Sequence, residues 1–218
     1  MFVLPGAAYA DYRGDWMKMS RLFARCLEAP YLQAAESASY YLERKGAILY
    51  VYLQSSNGLE DWKNNLDFPA RPYHGRGWMA HRGFVRVWKA LEPYVANAIT
   101  DPRLQGIVIV GYSHGGALAV LCHEYVNFHR SDIRSQIQSF AFGAPRVIWG
   151  VLSPKNLQRW EHLTLVRNLD DLVTHLPPRM LGYTHVGKLL EIGEAGRYSR
   201  IDAHRSENIM RELLKKDL

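Results

Sequence analysis

Apolar positions along the chain follow two patterns that alternate. Runs of apolar, often β-branched residues predict strands at 37–43, 47–54, 106–111, 137–142, 162–167 and 185–192. Stretches in which apolar residues recur three and four positions apart predict helices at 15–29, 82–99, 113–128 and 203–215. Because the strands alternate with helices, we expect an α/β fold with a mostly parallel central sheet covered by helices on both faces.

The length and cysteine usage of the chain bound its class and its location. A chain of 218 residues can bury one sizeable core, so we expect one domain over 1–218, and no apolar run reaches the ~20 residues of a membrane span. The first residues lack a basic region, and Pro5 and Gly6 interrupt their apolar run, which is untypical of a Sec signal peptide. Cys26 and Cys122 form no CxxC pattern, which favours reduced thiols. We therefore expect a cytoplasmic protein, or one released without a Sec signal peptide.

The charge of the chain is moderately basic, with a formal net charge of +6. No nucleic-acid-binding motif accompanies this charge, so we expect no nucleic-acid partner. Between Asp67 and Glu92 there is no acidic residue, and basic and aromatic side chains alternate there: Arg71, Tyr73, Arg76, Trp78, Arg82, Phe84, Arg86, Trp88 and Lys89. This mixture suggests peripheral contact with an anionic lipid surface, the alternative being a solvated helix face over core aromatics.

The sequence Gly111-Tyr112-Ser113-His114-Gly115 lies between a predicted strand and a predicted helix. This is the G-x-S-x-G pattern in the strand–turn–helix context of a serine nucleophile. Glycine on both sides permits a tight turn that exposes Ser113. The backbone N–H of His114, directly after the serine, is then a candidate donor to a developing oxyanion.

An activated serine needs a base, and the base needs a carboxylate that orients it. The acid candidates are Asp170 and Asp171, which follow the strand at 162–167. The base candidates are His162, His175, His185 and His204. We favour His204, since it lies at a loop-to-helix junction from which it can reach another loop, with His185 as second choice.

Five blocks of the chain together resemble the class 3 lipase family, the fungal-type triacylglycerol lipases. The resemblance covers about 47–210 and rests on GYSHGGALA, FGAPRV, RNLDDLVTHLPP, YTHVG and DAHRSENI. It implies an α/β-hydrolase fold with a short lid. It also implies Asp171 as the catalytic acid and His204 as the base, and it argues against His185.

The same resemblance implies the second oxyanion donor and the lid. It places Ser56 on the oxyanion position, and it places the lid at 57–66 with an apolar stripe of Leu59, Trp62 and Leu66. The alternative for this stripe is a surface helix that stays packed down. Three departures from the family pattern are Gln54-Ser55 before the lid, Tyr112 before the nucleophile and His114 after it.

These features lead us to expect a serine carboxylic-ester hydrolase that forms an acyl-enzyme on a lipid or small ester substrate. There is no HExxH motif and no Cys/His cluster with ligand spacing, so we expect no metal and no cofactor. Two alternatives stay open. One is phospholipase A1 or another acyl hydrolase acting on anionic lipid. The other is a non-catalytic protein of hydrolase shape that binds lipid or a partner.

Overall fold

The computed structural model describes residues 13–55, 69–73 and 78–216. The helices are α1 (Arg13–Glu28), α2 (Arg82–Ala98), α3 (His114–His129), α4 (Pro154–Leu157) and α5 (Ser206–Lys215). The strands are β1 (Leu32–Gln33), β2 (Ala38–Lys45), β3 (Ile48–Ser55), β4 (Ala70–Pro72), β5 (Met79–His81), β6 (Gly106–Tyr112), β7 (Ile137–Phe142), β8 (Ile148–Trp149), β9 (Leu163–Asn168), β10 (Tyr183–Thr184) and β11 (Lys188–Ile192).

Seven strands form the central sheet, in the order β1-β2-β3-β6-β7-β9-β11. Strands β3, β6, β7, β9 and β11 run parallel to one another, and β1 and β2 add an antiparallel edge. The prediction of a mostly parallel sheet is therefore confirmed. Since the parallel strands all end at one edge, the loops that follow β6, β7 and β9 meet there.

Helices cover both faces of this sheet, as the alternation of strands and helices predicts. Strand β6 shows why: Ile107 and Ile109 face the core under α2 and α3, while Val108 and Val110 face the core under α1 and α5. Successive side chains of a strand point to opposite faces, so a strand that is buried on both faces is apolar throughout. None of the described helices has the length and apolar character needed to cross a bilayer.

A second, antiparallel sheet in the order β10-β8-β5-β4 was not predicted. Its strands hold only two or three residues, too few for a periodic pattern to show. The prediction of one strand at 185–192 is wrong in its start, because the chain turns at Gly187 (φ +81°) between β10 and β11. The predicted helix at 203–215 begins at Ser206, after a 3₁₀ turn over Asp202–His204.

Candidate active site

The connection between β6 and α3 is a sharp turn centred on Ser113. This serine has φ 54° and ψ −120°, a backbone conformation that costs energy for any residue other than glycine. Its N–H donates to the carbonyl of Phe142 at 2.9 Å, which ties the turn to the end of β7. The strained turn places the Ser113 hydroxyl at the carboxyl edge of the sheet.

Two glycines make this turn sterically possible. A Cβ on Gly111 would lie 2.0 Å from the carbonyl oxygen of Gly115. A Cβ on Gly115 would lie 2.1 Å from the carbonyl oxygen of Leu53, at the end of β3. Both contacts are far inside van der Waals distance, so these positions need glycine because the backbone segments approach so closely.

Three side chains from three loops form a continuous hydrogen-bonded line at this edge. The distance from Ser113 Oγ to His204 Nε2 is 2.8 Å, and from His204 Nδ1 to Asp171 Oδ2 it is also 2.8 Å. Because a carboxylate only accepts hydrogen bonds, the proton of the neutral imidazole lies on Nδ1, and Nε2 accepts from the serine. His204 and Asp171 are buried, whereas Ser113 is half-buried. The serine is thus the member of the line that a substrate can reach.

The backbone around Asp171 holds its carboxylate in place. Val173 N–H donates to Asp171 Oδ1 at 2.9 Å, and Thr174 Oγ1 donates to the Asp171 carbonyl at 2.8 Å. Asn168, at the end of β9, donates through Nδ2 to the Ala203 carbonyl at 3.0 Å and so fixes the turn that carries His204. Hydrogen bonds within the Asp171 loop and between it and the His204 turn therefore hold the acid and the base in place before any substrate arrives.

Tyr112 contacts the His204 residue in two ways that the sequence did not indicate. Its hydroxyl donates to the His204 carbonyl at 2.6 Å, and its ring stacks on the imidazole with ring centroids 5.4 Å apart. Burial raises the pKa of the Tyr112 hydroxyl well above its usual value, so this group is a permanent donor. Through these two contacts Tyr112, the residue before Ser113, holds the His204 imidazole in position.

The Tyr112→Phe variant should lose about tenfold in kcat for ester hydrolysis with KM little changed. The phenyl ring keeps the stack, but the His204 carbonyl loses its donor, and slight misplacement of a base costs rate without weakening substrate binding. Steady-state kinetics on a soluble ester measure the split. A variant whose thermal stability falls while kcat stays at the wild-type value would mean that the hydroxyl only stabilises the fold.

Gly143 lies directly against the same two side chains. Its φ is +56°, and a Cβ there would lie 3.0 Å from His204 Cε1, 3.1 Å from His204 Nδ1 and 3.2 Å from Asp171 Oδ2. These contacts are tight enough to displace the imidazole from the carboxylate. The FGAPRV block is part of the family resemblance, but its sequence does not indicate that Gly143 contacts His204 and Asp171.

Replacing Gly143 by alanine should lower kcat/KM by about a hundredfold, because the added methyl group pushes His204 out of line. The left-handed backbone should add about 1–2 kcal/mol of destabilisation. Gly46→Ala is the matched control, since Gly46 has φ +60° with nothing within 4 Å of the added Cβ. The temperature of thermal unfolding should fall similarly in both variants, and activity should fall only in Gly143→Ala. Equal activity in the two would exclude the steric argument.

Two of the other acid and base candidates, Asp170 and His185, have different contacts. Asp170 Oδ2 accepts the N–H of Gly196 at 2.6 Å, so this residue caps a neighbouring turn. His185 Nε2 lies 2.8 Å from the Thr174 carbonyl, and burial lowers the pKa of this imidazole to about 4. Neither is hydrogen-bonded to Ser113 in the described structure.

A second serine–histidine pair escaped the sequence analysis. His123 Nδ1 lies 2.6 Å from Ser139 Oγ, and His123 Nε2 lies 3.1 Å from the Arg159 carbonyl. Both side chains are buried inside the protein, and burial lowers the pKa of His123 to about 3. Because no substrate can reach this pair, its hydrogen bonds are structural.

His114 begins α3 directly after the serine, where its N–H belongs to the first turn of the helix. Its ring packs edge-on against Phe84 with centroids 5.0 Å apart. Burial, and secondarily the neighbouring His81, lower the pKa of His114 to about 4, so its imidazole is neutral beside the nucleophile. The other predicted site residues, Ser56 and the lid residues Leu59, Trp62 and Leu66, lie outside the described residues.

The aromatic residues of the basic stretch belong to the core. Tyr73, Trp78, Phe84 and Trp88 are all buried, and Tyr73 stacks on Trp78 at 4.5 Å. They are therefore not available at the surface to contact lipid. Within the described ranges, no group of three or more His, Cys, Asp or Glu side chains is arranged to hold a metal ion.

Comparison with known proteins places these features in a family. Residues 50–181 match the family model described as lipase (class 3). A secreted mono- and diacylglycerol lipase of Fusarium solani is 25% identical over 142 residues, which cover 63% of this chain and 41% of that protein. A secreted mono- and diacylglycerol lipase of Malassezia restricta is 31% identical over 126 residues, 52% of this chain and 38% of that protein. The chain thus spans about two fifths of the length of the curated relatives that it matches.

A solved structure shows the same fold. A triacylglycerol lipase, whose catalytic centre is described as a serine protease triad, superposes with a TM-score of 0.71 at 17% identity. The match covers 91% of this chain and 94% of that one. The prediction of an α/β-hydrolase fold is thus confirmed.

The names of the relatives overturn the predicted location. Matching proteins from Fusarium solani and Malassezia restricta are named as secreted. The expectation of a cytoplasmic protein, or of one released without a Sec signal peptide, was therefore wrong. Cys26 and Cys122 do not indicate the compartment, because both are buried and unpaired, and buried thiols are unreactive.

Proposed function

Because the chain belongs to the class 3 lipase family, we propose that it is a serine hydrolase that cleaves carboxylic esters of acylglycerols or similar lipids. The observation that carries the proposal is the hydrogen-bonded line from Ser113 through His204 to Asp171. The mono- and diacylglycerol lipases among its relatives suggest the substrate class.

The geometry supports a two-step reaction at Ser113. In the first step Ser113 Oγ attacks the acyl carbon while His204 Nε2 takes its proton, and His204 then returns that proton to the leaving alcohol. In the second step water attacks the acyl-enzyme with the same base, which releases the acid and regenerates the serine. Asp171 holds the imidazole and stabilises its positive charge in both steps.

The proposal assigns the oxyanion to two backbone donors. One is the N–H of His114 at the start of α3, where the helix dipole also favours negative charge. The other is the N–H of Ser56, which follows the end of β3; that strand end contacts the turn, because Leu53 packs against Gly115. We further propose one domain over 1–218, with residues 57–66 as a lid over the acyl site.

Hydrolysis of a series of p-nitrophenyl esters of increasing acyl length tests this proposal. Turnover of short esters in solution would indicate an esterase whose acyl site is open. Turnover that rises with acyl length and with added emulsion would indicate a lipase with a working lid. Parallel assays on phosphatidylglycerol and diacylglycerol separate a phospholipase A1 from an acylglycerol lipase.

The chemical state of Ser113 separates an enzyme from a binding protein. A fluorophosphonate labels only a serine that a neighbouring base activates. Labelling without turnover of any ester would point to an acyl substrate outside the panel. If the protein were neither labelled nor able to turn over any ester, the proposed hydrolase would be refuted.

A further inference from the structure

Two neighbouring loops carry unusually exposed apolar side chains. Val151 and Met180 are 102% and 90% exposed, the largest values among the large apolar residues of the described chain. The loops are joined: Trp149 Nε1 donates to the Leu181 carbonyl, and Gly150 N–H donates to the Gly182 carbonyl, both at 2.9 Å. We call Trp149, Val151, Met180 and Leu181 the apolar tip.

The apolar tip belongs to two loops that leave the sheet at the edge that carries the hydrogen-bonded line. One loop follows β7 and starts at Gly143, which contacts both His204 and Asp171. The other follows Asp171 itself, and Arg146 joins the two loops by donating to the carbonyls of His175 and Pro177. Both loops of the tip therefore start beside the hydrogen-bonded line, and Arg146 joins them to each other.

Charge is distributed very unevenly along the sequence. The segments 68–91, 133–160 and 172–190, which supply all four strands of the second sheet and the whole tip, contain eleven of the 27 Lys and Arg residues. They contain none of the 21 Asp and Glu residues. The tip is thus built only from segments of positive net charge, while the rest of the chain holds an excess of acid.

Two cations flank the tip in the open. Lys155 follows Val151 by four residues, and Arg179 adjoins Met180; both are exposed, and neither forms an ion pair within the part of the chain that the structure describes. Burial, and secondarily the nearby Arg179 and Arg167, lower the pKa of Arg146 to about 10. Exposed apolar side chains beside unpaired cations are the chemistry of a surface that meets acyl chains and anionic headgroups together.

We propose that the apolar tip and its flanking cations Lys155 and Arg179 dock the protein onto an anionic lipid surface. Met180 and Val151 enter the headgroup region, and the cations bind the lipid phosphates. The proposal rests on the proposed function in one respect, because docking here would turn the Ser113 side toward lipid esters. The proposal assigns lipid contact to exposed side chains of the tip, and no longer to the aromatic residues between Asp67 and Glu92, which are buried.

Sedimentation with vesicles of ether-linked lipid tests docking without hydrolysis, since these lipids contain no carboxylic ester. The protein should bind vesicles that contain the ether-linked analogue of phosphatidylglycerol and should bind vesicles of the ether-linked analogue of phosphatidylcholine weakly. Each cation near an anionic surface contributes about fivefold in binding, so Lys155→Glu with Arg179→Glu should weaken binding at least about tenfold. Val151→Asp with Met180→Asp should weaken it by about as much or more. Salt should weaken the binding of the wild type.

Matched controls are Leu214 in α5, a helix that packs against α1, β9 and β11, and Lys216 directly after it. Leu214 is 50% exposed and Lys216 is also exposed, so Leu214→Asp and Lys216→Glu make the same chemical changes and should leave binding unchanged. Hydrolysis of a water-soluble p-nitrophenyl ester by all the variants would show that they are folded.

Several outcomes would overturn docking at the tip. They are no vesicle binding, equal binding to phosphatidylcholine, and binding that the tip variants do not weaken. Self-association that Val151→Asp abolishes would mean that a second copy covers the tip, which also overturns the proposal. A protein that binds vesicles but neither cleaves an ester nor reacts with a fluorophosphonate would refute the proposed function alone, and the reverse result would refute docking alone.

Discussion

Replacing Ser113 by alanine should lower kcat/KM for ester hydrolysis by about 10⁵-fold while the fold is retained. Ser113 Oγ is the atom that would form the acyl-enzyme. Without this nucleophile, only transition-state binding by the remaining site can accelerate the reaction. The side chain is half-buried and its loss leaves no large cavity, so thermal unfolding should change little. The backbone strain at Ser113 persists in alanine, which keeps the comparison fair.

Ser139→Ala is the matched control for this variant. Ser139 is also hydrogen-bonded to a histidine, His123, but that pair is buried. Loss of the Ser139 hydroxyl should cost about 1–3 kcal/mol of stability, because a buried imidazole nitrogen loses its partner. The same change should leave turnover unchanged. A fluorophosphonate should label the Ser139→Ala variant and should not label the Ser113→Ala variant. Activity that survives Ser113→Ala and disappears in Ser139→Ala would contradict the assignment of the nucleophile.

The sequence was most informative where local pattern and tertiary structure agree. The apolar run of β6 can only be a strand buried on both faces, and the glycines around Ser113 can only serve a tight turn, so strand, turn and helix were predicted nearly to the residue. The two-residue strands β8 and β10 were missed because two residues carry no period. Their pairing is a consequence of tertiary packing.

Contacts between distant segments were the other limit of prediction. The bond from Tyr112 to the His204 carbonyl joins residues 92 apart, and no local signal distinguishes a tyrosine that positions a base from one that fills a core. The same holds for Gly143, whose lack of a Cβ matters only because His204 arrives from the end of the chain. Conversely, the choice between Asp170 and Asp171 needed the family resemblance.

The Asp171→Asn variant should lower kcat by about 10⁴-fold with little change in KM. Val173 N–H donates to Asp171 Oδ1, so the asparagine side chain will keep its carbonyl oxygen there and turn its NH₂ group toward His204 Nδ1. An NH₂ group only donates, and Nδ1 must then accept. The imidazole proton moves to Nε2, where it faces Ser113 and cannot accept the serine proton.

Asp170→Asn makes the same substitution one residue earlier and is the control. Asp170 accepts a hydrogen bond from Gly196 N–H, and an asparagine oxygen can accept that bond equally, so kcat should stay within about twofold of wild type. The pair of variants therefore compares two adjacent carboxylates that differ only in what they face. If Asp170→Asn lost the activity and Asp171→Asn kept it, the hydrogen bond between Asp171 and His204 would have no catalytic role. The expected result instead ties the rate to a single proton position on His204, because only the tautomer with the proton on Nδ1 leaves Nε2 free to act as a base.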